Sequence, residues 1–228
     1  MSLVNKIKFF NQISLSKYIY YNYFCSNVNR KGNGRIIPYK GAVVDISKNA
    51  VINLFDGDLE IGCNKLKKSK AETYLRLRSN AVWNVFKSCC ISYGSTIELL
   101  NAATINSKYF TVNSNSVIVI SKQLTIENDV MIGRNVTVYD SDFHSINNNT
   151  SDNYSSPIYI GNHVWIASNS TILKGVKLSD GCVVAANAVI LNDIHEKQLV
   201  GNNIVQKTIK NNIAVSYTHL RAHETSQD

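Results

Sequence analysis

Proline is nearly absent from this sequence: Pro38 and Pro157 are the only two in 228 residues. Asn and Ser are abundant instead, a composition that suits many short turns closed by side-chain hydrogen bonds. Cysteine offers no framework. Cys25, Cys63, Cys89, Cys90 and Cys182 form no CxxC and no metal-ligand spacing, and adjacent Cys89 and Cys90 are poorly placed to bond each other. An odd count without a signal peptide reads as reduced, cytosolic thiols. No apolar run approaches the ~20 residues that a membrane span needs. Charged residues are only 18% of the chain against 44% hydrophobic, which is the balance of an ordinary soluble protein rather than a disordered one.

The net charge of +8 is diffuse, with local clusters in NRKGNGR (29–35) and NKLKKSK (64–70). A solvated basic face explains it, and attraction to an anionic partner is the sharper alternative. Nucleic acid is not expected as a partner, since no binding module or aromatic-basic repeat is present.

What the sequence does have is a period of six. Ile160, Ile166, Ile172, Leu178, Val184 and Ile190 keep that step without a slip. A helix would ask for 3.6, and a plain strand does not run thirty residues with a Gly or Asn in nearly every step. Short strands joined by tight turns satisfy it if the chain winds as a triangular coil, each side six residues or about 20 Å long. Val164, Ser170, Val176, Cys182 and Ala188 hold the phase four places later, where a sharp corner leaves little room for a large inward group. The period therefore predicts an all-β parallel β-helix.

The same phase runs upstream through Ile120, Ile126, Ile132 and Val138 to His144. It is weaker at Val44 and Ala50 and at Ile91, Ile97 and Ala103, and segment 59–90 cannot be phased. Between Val138 and Ile160 the spacing is not a multiple of six, so a loop of about 141–157 must leave the coil. Before the coil, Phe9, Phe10, Ile13, Tyr20 and Phe24 approximate one face of a short helical segment (1–24), interspersed with Lys6, Lys8 and Lys17. It is expected to pack on the neighbouring domain or on another subunit, with weak association to a membrane surface as the alternative. The coil is assigned to 25–214. The stretch 215–228 abandons the repeat and resembles the translation of a common sequencing adapter, so His219 and His223 carry no expectation.

The run PIYIGNHVWIASNSTILKGVKLSDGCVVAANAVILNDI, preceded by YDSDFHSI, resembles the hexapeptide-repeat acyltransferases, closest to their sugar and polysaccharide O-acetyltransferase branch. The resemblance spans roughly 118 to 204. It implies a left-handed coil, a hand that physics alone would not choose, because crossovers between parallel strands are right-handed in ~98% of ordinary cases. It also implies a cytoplasmic homotrimer with active sites between neighbouring coils, acetyl-CoA as donor, and a sugar or polysaccharide hydroxyl as acceptor.

A hydroxyl attacking a thioester must lose its proton, and a histidine of near-neutral pKa suits that role. His144 closes DSDFH where the coil gives way to the loop, and it matches the family's catalytic position. Asp142 or Asp140 can orient the imidazole, with turn capping an equal explanation. Trp165 falls between the inward phases and should point outward; by resemblance it lines the groove for the acceptor or pantetheine arm. Ser168, Ala185 and Ala186 are placed by the same resemblance along coenzyme A. The family's usual GNPAK reads here GNNIVQKTIK, and Lys207 and Lys210 are the substitutes expected near the nucleotide phosphates. No metal is expected, because His144, His163 and His195 include no short pair at zinc-ligand spacing. An amino-sugar N-acetyltransferase or a non-catalytic β-helix scaffold are the alternative readings.

Overall fold

The computed structural model describes residues 11–144 and 154–202. Phe9, Phe10, the centre of the inserted loop, Lys207, Lys210 and the stretch 215–228 lie outside the described residues.

Three parallel sheets form the three faces of a prism. The first face runs from the strand Val28–Arg30 to Lys177–Leu178, the second from Ile36–Pro38 to Leu199–Val200, and the third from Ala42–Ile46 to Val189–Ile190. Successive strands visit the three faces in turn, so the fold is a parallel β-helix. Where the sequence keeps its strict period, Tyr159 pairs with Lys177 eighteen residues on, as do Trp165 with Val183 and Thr171 with Val189. Three sides of six residues make one turn.

The inward phase is buried as the period requires. Ile160, Ile166, Ile172, Leu178 and Val184 are all inaccessible, and Val164, Ser170, Val176, Cys182 and Ala188 are within 1% of it. They join one continuous apolar column along the prism axis, each Ile, Leu or Val in it stabilising the coil by about 1.5–3 kcal/mol. Ser170 shows how a corner tolerates a polar group: its hydroxyl donates to the carbonyls of Ala167 (2.8 Å) and Ala185 (2.9 Å). Asn135, Asn169 and Asn187 make the sharp turn between the second and third faces with φ of 54°, 62° and 59°. Asn adopts this left-handed conformation more readily than most residues.

Upstream, the rungs are longer and less uniform. Val82 pairs with Thr104 twenty-two residues on, and Leu59 with Cys89 thirty residues on. Segment 59–90, which could not be phased, carries four coil strands (Leu59–Cys63, Thr73–Leu77, Val82–Val85, Cys89–Ser92), with residues 64–72 between the first two. Ala50, Ile91, Ile97 and Ala103 are buried as expected, whereas Val44 is only partly so.

The N-terminal segment covers the open end of the coil. A short helix, Leu15–Ile19, is followed by a π-helical turn, Tyr20–Phe24. Asn22 imitates a neighbouring strand: its side chain accepts from the Ile36 amide (3.0 Å) and donates to the Ile36 carbonyl (2.7 Å). That satisfies edge groups that would otherwise invite pairing with another chain. The apolar face differs from expectation. Ile13 is buried, but it lies in an isolated bridge to Tyr39, while Tyr20 and Phe24 are exposed. The π turn breaks the 3.6-residue phase on which the expected face rested. Among the described residues, no helix is long and apolar enough to cross a membrane.

Candidate functional site

A groove of about 680 Å³ runs along the second face and round its corner toward the third. Its floor is a column of outward residues in register: Met131 beside Trp165, Trp165 beside Val183, Val183 beside Leu199. Trp165 is 50% exposed and Met131 51%, so two large apolar side chains face solvent on adjacent rungs. Ala167, Ser168, Ala185 and Ala186 form the corner wall. Their small side chains let a thin chain-like ligand approach the backbone. Gly133 belongs to the same wall for a steric reason: a Cβ there would lie 2.7 Å from the Ser168 amide nitrogen. Trp165, Ser168, Ala185 and Ala186 are thus brought together in one place.

The turn that carries His144 is built differently. Asp140 is fully buried and accepts from the amides of Ser121 (2.6 Å), Lys122 (2.7 Å) and Gln123 (2.8 Å). Burial pushes its carboxyl above the ordinary range, against the pull of those three donors. Asp140 therefore caps the turn of the rung before it. Asp142 receives a hydrogen bond from the ammonium of Lys174 on the following rung. A bridge between Ser141 and Ser155 closes the base of the inserted loop.

Phe143, next in sequence, has a φ of 62°. A bulky residue in this region is strained by roughly 1–3 kcal/mol, and such strain gathers at functional sites. Its amide donates to the Ser141 hydroxyl (2.9 Å), and its ring meets Tyr139 edge-on with centroids 5.3 Å apart. These contacts hold the turn, and His144 follows it into solvent.

The turn and the groove lie at different corners of the prism. His144 leaves the corner between the third and first faces, whereas the groove lies on the second face and its corner with the third. His163 stands elsewhere, exposed, with Nδ1 2.6 Å from the Asp129 carboxylate. Sequence reasoning missed Met131 and Arg134, both of the groove. Met131 had a legible signal, since VMI and VWI present their central residues in the same outward phase. Arg134 supplies the positive charge among the groove-lining residues.

Residues 157–192 match the family model described as bacterial transferase hexapeptide (six repeats). This part of the coil is similar to transferase hexapeptide repeats. The resemblance read from the sequence is borne out there, and the left-handed parallel β-helix is the fold of such arrays. The galactoside O-acetyltransferase of Escherichia coli (strain K12) is 36% identical over 105 residues, 45% of this chain and 48% of that protein. A chloramphenicol acetyltransferase of Agrobacterium fabrum (strain C58 / ATCC 33970) is 39% identical over 51 residues, 22% of this chain and 24% of that protein. A hexapeptide-repeat acetyltransferase from Vibrio cholerae O1 biovar eltor, solved in complex with acetyl coenzyme A, is 28% identical. The superposition covers 50% of this chain and 60% of that one, with a TM-score of 0.38. The chain spans about half the length of the galactoside O-acetyltransferase and a quarter of the chloramphenicol acetyltransferase.

Proposed function

We propose that this protein is an acetyl-CoA-dependent O-acetyltransferase acting on a sugar hydroxyl of a surface polysaccharide or its precursor. The observation that carries the reading is the groove, in which an outward Trp165 faces a wall of Ser168, Ala185 and Ala186 on a hexapeptide coil. Its length along the rungs suits the pantetheine arm, with Arg134 available to the anionic end and Lys207 and Lys210 following in sequence.

In this reading the acceptor hydroxyl attacks the thioester carbonyl carbon directly. His144 takes the hydroxyl proton, the tetrahedral oxyanion is held by hydrogen-bond donors, and its collapse expels the coenzyme A thiolate, which recovers the proton. Asp142 stands two residues from the base and is the carboxylate offered to orient its ring. Since groove and base lie on different corners, His144 of one coil serves the groove of a neighbour, which supports a homotrimer. The setting is cytoplasmic, where acetyl-CoA is made. The exposed Leu15, Tyr20, Tyr23 and Phe24 support weak association of the N-terminal segment with a membrane surface.

Incubation with labelled acetyl-CoA and a panel of bacterial glycans tests the proposal. Label on a hydroxyl is the expected outcome; label on an amino group, or on nothing in the panel, would refute it.

A further inference from the structure

Beneath the N-terminal segment, on the outside of the second face, lies a side-chain cluster that acetyl transfer does not use. Ile13, Ile37, Tyr39 and Cys63 are buried there, with Tyr18 and Cys90 packed against them. Cys63 ends the strand Leu59–Cys63, and Cys90 lies on the adjacent rung, Cys89–Ser92. In register, Glu60 faces Cys90 and Ile61 faces Ile91. The pairing then slips by one, so that Cys63 faces Ser92. The extra residue is Gly62, whose φ of +86° few side chains would tolerate. This bulge brings two sulfurs, 27 residues apart in sequence, to 2.7 Å.

That separation discriminates between roles. Glu60, Cys63 and Cys90 offer three ligand atoms within 4.8 Å of one another, the only such group among the described residues. Two thiolates sharing a tetrahedral zinc, each about 2.3 Å from it, would stand about 3.8 Å apart. The observed sulfurs are well inside that spacing and much nearer the length of a covalent bond, about 2.05 Å. The geometry favours a bond over a shared metal.

We propose that Cys63 and Cys90 form a redox-convertible pair that closes to a disulfide by exchange with a small-molecule disulfide such as oxidised glutathione. Cys90 is the partly exposed member, Cys63 being buried, and meets the oxidant first. Its thiolate attacks one sulfur of glutathione disulfide, giving a mixed disulfide and releasing one glutathione, which takes up the Cys90 proton. Cys63 then attacks the Cys90 sulfur and expels the second glutathione, which takes up the other proton. Two thiols and one disulfide thus become one protein disulfide and two thiols.

In the reduced pair Cys90 holds the shared proton, so its first attack draws on a small thiolate fraction. Placement then favours the closing step, because the Cys63 sulfur already lies beside the Cys90 sulfur that it must attack. Burial pushes the other two buried thiols up as well, Cys89 to about 12 and Cys182 to about 11, and neither has a second sulfur beside it among the described residues. The bond would staple two rungs together directly under the N-terminal cap.

The test uses the full-length chain carrying Cys25→Ser, which removes the remaining partly exposed thiol. The folded protein is held with excess oxidised glutathione, and thiols still free are alkylated in denaturant before peptide mass mapping. The expected result is a Cys63–Cys90 link with Cys89 and Cys182 alkylated. Cys63→Ala, or Cys63→Ser if the alanine variant does not fold, should instead retain glutathione on Cys90. Alkylation of both Cys63 and Cys90, or a lasting glutathione adduct on Cys90 while Cys63 is present, would overturn the proposal.

Discussion

The ammonium of Lys174 donates to the carboxylate of Asp142, tying the start of the inserted loop to the rung that follows it. The pair stands two residues from His144 in sequence. Both side chains are about a third exposed, 32% and 39%, and solvent screens much of their mutual attraction.

Lys174→Met should therefore leave the melting temperature almost unchanged, within about 0–1 kcal/mol of stability. Thermal unfolding reads it, and a loss of several kcal/mol would show that the pair holds the loop in place.

Asp140 has a different fate. Its three amide donors are left without an acceptor in Asp140→Ala, which should destabilise the fold by about 2–4 kcal/mol. Asp140→Asn keeps one acceptor oxygen and should fall between that variant and the parent. Thermal or denaturant unfolding reads the series, and equal stability of all three proteins would contradict the capping role.

Trp165→Ala removes an exposed side chain and should not lower the melting temperature. It should raise KM for acetyl-CoA roughly tenfold, the effect of losing about 1.4 kcal/mol of binding. An unchanged KM would remove Trp165 from the groove's function.

On the proposed function, a base and a groove at different corners require activity to depend on assembly. Sedimentation should give a trimer, and dilution that dissociates it should abolish turnover in parallel. A stable, active monomer would show that one coil suffices.

Legibility in the sequence followed rung length. From Ile158 to Ile190 paired strands lie eighteen residues apart, so the period of six could be read to the residue; the last pairing, Val183 with Leu199, steps sixteen. Earlier rungs add residues at their corners, as between Val82 and Thr104, and each addition resets the phase without disturbing the buried column. The outward position of Trp165 was legible because it sits in the regular part, and Ser168, Ala185 and Ala186 were placed beside it through the resemblance that this regular part carries. Two features were not. That Asp140 caps a turn rather than meeting the histidine depended on its capture by the preceding rung's amides, a contact between residues about 18 apart. The strained φ of Phe143 had no sequence signal at all, since Gly or Asn would be expected there.

The central claim is that His144 takes the acceptor's proton, and His144→Ala tests it most directly when turnover and melting temperature are measured on the same preparation. His144 is exposed, so the variant should melt with the parent. Its kcat should fall by roughly 10²–10⁴ while the affinity for acetyl-CoA stays close to that of the parent. A folded variant with near-normal turnover would contradict the account.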